Sequence, residues 1–378
     1  MTKPATTYQP LGNFIQIVDH RNRDLQVTKL LGLSIDKCFI PSIANLIGTD
    51  MSSYKIVEKS QFVYIADTSR RGDKIAIALL DNYDEAIVSS IYTVFEITDT
   101  EKLLPEYLMM WFRRPEFDRY ARYHSHGSAR EIFDWDEMCA TQIPVPPIAE
   151  QRAIVAEYAA VQHRMEVNKR LIAKLEETAQ TLYKKMFVDG VDKENLPDGW
   201  RMGTLGEVCE YVTDKIDVEE LDIDTYISAE NMVKDKGGVI QCISFPEEGR
   251  CTKFQTTDVL LSNIRPYFKK LWKATFDGGC SNDVLCIRTK GLFTQSMLYY
   301  TMEGDNFFDY VMAGSNGVKM PRGDKNWIMN YEIVIPQKDA IAAFERQISA
   351  QSQLIENKRK ENNKLTELQS LLLARMGR

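Results

Sequence analysis

The chain repeats itself, and that repeat limits its fold more than any other feature. Trp135 stands eight residues before Ile143-Pro144 and Trp327 eight residues before Ile335-Pro336, so both landmarks recur at an offset of 192. Upstream, Val88-Ser89 with Tyr92-Thr93-Val94-Phe95 lies opposite Cys280-Ser281 with Val284-Leu285-Cys286-Ile287, and Phe117-Asp118 lies opposite Phe308-Asp309. A period near 190 in 378 residues implies two equivalent halves, each a complete structural unit. Each half runs through strand-like alternation and a helix-like stretch to a Trp and an Ile-Pro exit.

After each Ile-Pro comes a long polar segment with no internal Pro and almost no Gly, as an extended helix requires. In the first, Ile154, Tyr158, Val161, Met165, Asn168, Ile172, Leu175, Ala179, Leu182 and Met186 alternate steps of four and three. At an offset of 190 the second places Phe344, Ile348, Gln351, Ile355, Lys358, Asn362, Leu365, Gln369, Leu372 and Met376 on the same seam. Two matched, half-apolar helices in one chain most simply bury these seams against each other, as a coiled-coil pair. Gly190 stops the first helix, and Asn195-Leu196-Pro197-Asp198-Gly199-Trp200 forms a turn-rich lead into the second globular half. The expected organisation is a globular domain over 1–147, a long helix over 148–190, a second globular domain over 191–336 and a second long helix over 337–378.

Within the globular halves, strands are expected at Gln61–Ala66, Ile75–Leu80, Ala86–Ile97, Val239–Phe245, Val259–Ser262 and Val284–Arg288. Helices are expected at Pro105–Tyr123 and Thr294–Val311. The fold class is α+β, with two pseudo-repeated domains separated by two long antiparallel coiled-coil helices. The fixed spacing of Trp135 and Trp327 to the exit strands favours core packing over base stacking, and Met165, Met186 and Met376 are packing residues of the seam.

Composition excludes several classes of protein. With 44% hydrophobic residues the chain can bury more than one core. No apolar run is long enough to span a membrane, and Met1-Thr2-Lys3-Pro4 does not open a secretory signal, so a cytoplasmic protein is expected. Cysteines 38, 139, 209, 242, 251, 280 and 286 include no Cys-x-x-Cys pair, and with only four histidines to complete a zinc site they read as buried, reduced thiols. No phosphate-binding loop of the Gly-x-x-x-x-Gly-Lys-Ser/Thr type occurs. The only Pro-Pro, in Ile143-Pro144-Val145-Pro146-Pro147-Ile148, lacks the polar residue before it and the aromatic after it that hold a flipped base. His124 and His126 flank Ser125 without further metal ligands nearby and suit a surface or phosphate-contacting role. Neither a motor nor a methyltransferase is encoded, and no catalytic or metal-binding residue is assigned.

Two variable globular halves, each ending in Ile-Pro and running into a long helix, resemble the specificity subunits of type I restriction-modification systems. The sharpest segment is Ile143-Pro144-Val145-Pro146-Pro147-Ile148-Ala149-Glu150-Gln151-Arg152-Ala153-Ile154-Val155, which is similar to that family's domain exit and helix start. Leu11-Gly12-Asn13-Phe14-Ile15, Gln61-Phe62-Val63-Tyr64, Val88-Ser89-Ser90-Ile91-Tyr92-Thr93-Val94-Phe95 and Asp258-Val259-Leu260-Leu261-Ser262-Asn263-Ile264-Arg265-Pro266 are similar to its target-domain patterns. The second exit departs from it, reading Ile335-Pro336-Gln337-Lys338-Asp339. The resemblance implies a non-catalytic subunit that serves defence against foreign DNA. It has two target-recognition domains in pseudo-twofold symmetry, each reading one half of a split double-stranded DNA site. It also implies two modification subunits, which bring S-adenosylmethionine and methylate adenines, and restriction subunits, which bring ATP and Mg. This chain would bind no cofactor itself. A helix of forty residues is about 60 Å long, so the pair is expected to act as a ruler between half-sites. The alternative from another class is an adaptor whose coiled coil joins two protein-binding modules.

Phosphates need cations and base edges need directional side chains. In the first domain the candidates are Arg70, Arg71 and Lys74, with Ser128 and Arg130 on a second loop; in the second they are Asn263, Arg265, Tyr267, Lys269 and Lys270, with Lys319 and Arg322. A formal charge of −7, with more acid than base in each globular half, restricts any DNA-facing patch to local clusters. The isolated chain is expected to bind DNA weakly, with partner subunits supplying much of the phosphate contact.

Overall fold

The computed structural model describes residues 8–42, 50–68, 72, 74–127, 131–242, 244–291 and 293–377. The chain divides into two compact units, one of Met1–Val167 with Glu361–Arg378 and one of Asn168–Lys360. Both long helices are continuous, Ile148–Phe187 and Lys338–Arg375, so each unit takes half of each helix. Among the described residues no helix is long and apolar enough to cross a membrane.

In the first unit an antiparallel sheet runs in the order Ile15–Val18, Thr93–Ile97, Phe62–Ile65, Ala76–Leu79. Phe62 pairs with Phe95 across the two central strands, and their rings stack at 4.9 Å. Helices Pro105–Phe112 and Pro115–Tyr123 cover that face and bury Leu108, Phe112 and Phe117 on it. The chain closes by pairing its first strand, Tyr8–Pro10, with Gln142–Pro144. The Ile-Pro exit is therefore a strand end: Ile143 pairs and packs, and the prolines that follow end the ladder and lead into the helix.

The second unit repeats this connectivity. Its sheet runs Cys209–Tyr211, Val284–Thr289, Val259–Ser262, Leu271–Lys273, again antiparallel, and Arg201–Thr204 pairs with Glu332–Ile335 at the exit. A second sheet of Lys215–Asp217, Arg250–Phe254, Gly278–Cys280 and Tyr226–Ile227 carries one parallel pair.

Several expected elements divide or change. Ala86–Ile97 is two strands, Glu85–Val88 and Thr93–Ile97, separated by a turn in which the Tyr92 amide donates to the Ser89 carbonyl. Pro105–Tyr123 breaks at Pro115, which restarts a helix but cannot continue one. Thr294–Val311 breaks at Gly304, whose extended backbone ends Gln295–Glu303 and caps Asp305–Ala313. Val239–Phe245 supplies no strand among its described residues, because the buried Asn231 side chain ties the Tyr226 and Ile240 carbonyls together in place of a ladder. All seven thiols are free; Cys38 is exposed, the others buried or half-buried.

The helices pack in opposite directions in each unit. In the first, Tyr158 and Val161, with Ile154 and Met165 beside them, meet Leu372, Met376 and the partly buried Leu365. In the second, Ala179, Leu182 and Met186 share a core with Phe344 and Ile348. Ile172 and Leu175 are half-buried, whereas Asn168 and Ile355 are buried. Charge pairs add register: Arg164 to Glu361 in the first unit and Arg359 to Glu176 in the second, both at 2.6 Å. The buried stripe is wider than the heptad seam. Tyr183, Phe187, Ile341 and Leu373 are buried off it because the helix ends also lie against the globular residues of their own unit.

Gln151 explains one letter of the exit motif. Fully buried, its amide donates to the Lys102 and Pro146 carbonyls at 2.8 and 2.9 Å and accepts from the Leu104 amide at 2.9 Å. Leu104 caps helix Pro105–Phe112 and offers no side-chain cap, so Gln151 supplies its partner. At the equivalent place in the second unit stands buried Ile341, and the helix cap is Thr294, whose hydroxyl accepts from Met297 N and donates to Glu345. The same junction is made by different chemistry, which accounts for the departure of the second exit.

Replacing Gln151 with Ala strands buried backbone groups and is expected to cost about 3 kcal/mol, read as a lower urea midpoint at unchanged slope. A second expectation concerns Glu303, whose Oε2 is buried without a partner among the described residues and whose pKa burial raises to about 7. Its folded pKa lies above its unfolded value. The associated stability is therefore present in full below pH 4.5 and is lost as pH rises through about 7. Glu303→Gln should be more stable than the parent at pH 8, by about 3 kcal/mol, and this gain should vanish near pH 4.5 in paired urea titrations.

Candidate nucleic-acid interface

In the second unit the strand Val259–Ser262 runs out of the sheet into the first candidate loop, and the segment after helix Asp305–Ala313 supplies the second. The structure brings the two together. Ile264 bridges Arg322, Arg322 in turn bridges Asn316, the Arg265 amide donates to the Pro321 carbonyl at 2.8 Å, and the Gly323 amide donates to the Asn263 carbonyl at 3.2 Å. In the first unit Asp67 bridges Ile132, Ile132 bridges His126, and the Phe133 amide donates to Ala66 O at 2.9 Å. Each unit therefore builds the same three-segment junction from the end of its central strand and the loop after its second short helix.

Around that junction the candidates fall into different environments. Arg265 sits in the left-handed region at φ 49, its buried Nε without a partner among the described residues, and Asn263 Oδ1 is likewise buried and unpartnered. A left-handed backbone at a non-glycine residue carries local strain, and Lys269, four residues on, shares it at φ 49. Tyr267 and Lys319 are exposed. Arg322 meets Asp283 at 2.9 Å on the surface. Lys269 donates to Asp305 at 2.7 Å, a hydrogen bond that raises its pKa. Lys270 donates to the Ala229 carbonyl at 2.6 Å, lies 5.7 Å from the Phe268 ring, and has its pKa lowered by burial. Both lysines are engaged in holding their loop.

In the first unit Lys74 is exposed, while Arg70, Arg71, Ser128 and Arg130 lie outside the described residues. The chain just beyond Lys74 is held by buried Lys37, which meets Asp118 at 2.6 Å and donates to the Ile75 carbonyl at 2.7 Å. Asp118 also accepts from the Ile75 amide at 3.1 Å. Burial lowers the Lys37 pKa and Asp118 opposes that shift. An ion pair to the second short helix thus pins a candidate loop in both units, by Lys37–Asp118 and by Lys269–Asp305. The imidazoles of His124 and His126 both meet Glu137, at 3.1 and 3.3 Å. No group of three metal-ligating side chains occurs among the described residues.

The two tryptophans differ. Trp135 packs on Phe95 at 5.6 Å, as expected. Trp327, expected in the core, is 41% exposed and stacks on Tyr310 at 4.9 Å. It lies across Gly314, where a Cβ would come within 2.2 Å of the indole. Sequence reasoning missed Lys37, Asp118 and the Tyr310–Trp327 pair; for the pair, the available signal was Gly314 closing a helix that carries Phe307, Phe308 and Tyr310.

No protein-family profile and no curated protein sequence matches the chain. Solved structures do. The S subunit of a type I restriction-modification system from M. genitalium is 13% identical, with 100% of this chain and 98% of that one covered, at a TM-score of 0.56. The HsdS subunit from Thermoanaerobacter tengcongensis is 19% identical over 100% and 97%, at 0.39. A chain solved in work on complex assembly and conformational transition of the type I R-M system is 19% identical over 100% and 99%, at 0.46. The fold is that of the M. genitalium S subunit, and at 13% identity the fold is what the two chains share.

Because Lys37 is buried and Asp118 half-buried, whereas Lys269 and Asp305 are more open, the two anchors should differ in strength. Asp118→Ala leaves an uncompensated buried ammonium and should cost about 3–5 kcal/mol. Lys269→Ala should cost under about 1 kcal/mol. Urea unfolding of the two variants checks the order.

Proposed function

We propose that the chain is the DNA-specificity subunit of a type I restriction-modification complex, each globular domain reading one half of a bipartite duplex target. The observation that carries this reading is the duplicated junction of two polar loops, built twice by the same strand order and linked through a shared helical pair. A protein that reads two half-sites needs two equivalent readers at a set spacing, whereas an adaptor has no reason to duplicate the backbone geometry of its loops. Arg265, Asn263, Tyr267, Lys319 and Arg322 are the contacts proposed for the second domain, and Arg70, Arg71, Lys74, Ser128 and Arg130 for the first. Lys269 and Lys270 act by shaping their loop. The helices dock two modification subunits, which bring S-adenosylmethionine; restriction subunits bring ATP and Mg. The chain itself supplies no catalytic group, and the complex works in the cytoplasm, on DNA.

Helices of 40 and 38 residues run about 60 Å at 1.5 Å per residue, which suits half-sites one to two turns of duplex apart. Sequencing methylated adenines in the host should reveal a split motif that disappears when this gene is deleted; an unchanged methylation pattern contradicts the proposal. Inserting one heptad into both helices should lengthen the gap within the motif and leave both half-sites unaltered.

A further inference from the structure

The segment between Asn316 and Arg322 is a small hairpin with a hydrogen-bonded base and an apolar tip. Asn316 and Arg322 exchange both backbone hydrogen bonds, at 2.8 and 2.9 Å, and Gly317 turns the chain at φ 96. Below them the Ser315 hydroxyl donates to Val311 O at 2.7 Å. Trp327 braces the same base, its indole donating to Tyr310 O at 2.9 Å and the Tyr310 hydroxyl donating to Trp327 O at 3.2 Å.

On this platform Val318 is fully exposed and Met320 is 49% exposed. Val318 buries nothing within its own unit and Met320 only about half of its surface, while the base beneath them is tied by paired backbone and side-chain hydrogen bonds. Their neighbours are Lys319 and, at the hairpin base, Arg322 and Arg265. Apolar side chains flanked by cations suit duplex DNA, where cations meet phosphates while the apolar groups meet thymine methyls or the face of an opened base step.

We propose that Val318 and Met320 make an apolar contact with bases of the half-site read by the second domain. The proposal rests on the DNA-specificity reading above and adds an asymmetry to it. At the offset of 190 the first domain carries Ser128 and Arg130 in place of Val318 and Met320, so the contact belongs to one half-site only.

The test uses the complex of the full chain with its modification subunits and the split target identified by methylation sequencing. The variant is the double substitution Val318→Ser, Met320→Ser, which removes side chains that support no core, so its thermal midpoint should equal the parent's. Affinity for the target should fall about 10–100-fold. Discrimination against substituted base pairs should weaken in the second half-site and persist in the first. Replacing thymine by deoxyuridine in the second half-site should weaken the parent but not the variant if the contact is to methyl groups. Fluorescence of 2-aminopurine at an opened step should rise with the parent and not the variant if the contact is a wedge. A variant that keeps parental affinity and discrimination, or loses discrimination equally in both half-sites, overturns this inference alone. A parent complex without any target preference overturns the DNA-specificity reading as well.

Discussion

The structure depends on the burial of the long-helix ends against the globular halves. Neither helix has a strongly apolar middle: Gln351, Lys358, Asn362 and Gln369 occupy seam positions of the second, and Asn168 one of the first. The large buried side chains sit towards the ends, where Tyr158 and Val161 join Leu372 and Met376 in one unit and Tyr183 and Phe187 join Phe344 in the other. Burying such side chains is worth about 1.5–3 kcal/mol each, well above what an exposed ion pair such as Arg164–Glu361 contributes. Each globular core is thus completed by both helices, and the last residues of the chain belong with the first unit.

From that constraint the candidate interface follows. With the exit strand paired to the first strand and the next helix anchored by Gln151 or by Thr294 and Glu345, one end of each domain is committed to the helices. The loops extending the central strand, 66–68 and 263–265, are tied instead to the loops after the second short helices. Their inner residues hold shape and their outer residues are open. This division separates Lys37, Lys269 and Lys270, which are bound to protein oxygens, from Lys74, Lys319 and Tyr267, which are exposed.

Much of the fold was legible because it was written twice. The offsets of the Trp and Ile-Pro landmarks located both exit strands, and the seam spacing located both helices. The errors were local. Pro115 and Gly304 each split an apolar run that reads as one helix, since periodicity carries across a break while the backbone does not. Val239–Cys242 has strand-like composition, but one buried Asn side chain took the carbonyl that a ladder would use. Residues off the seam such as Tyr183 and Phe187 were missed because their burial depends on globular residues far away in sequence. For the candidate site the sequence picked out, in each half, a segment after the central strand and one after the second short helix, which the structure joins by backbone pairing at 67 and 132 and at 264 and 322. It could not tell an exposed lysine such as Lys319 from an engaged one such as Lys270, because the Ala229 carbonyl that Lys270 meets at 2.6 Å comes to it only through the fold.

Under the proposed DNA-specificity reading, each globular domain is a reader complete in its own unit. A chain in which residues 191–336 are replaced by a second copy of 1–147, coexpressed with the modification subunits, tests it most directly. Sequencing the adenines it methylates should show the first half-site's sequence at both ends of the target. Retention of the original second half-site, or methylation at unrelated sequences, would contradict the account.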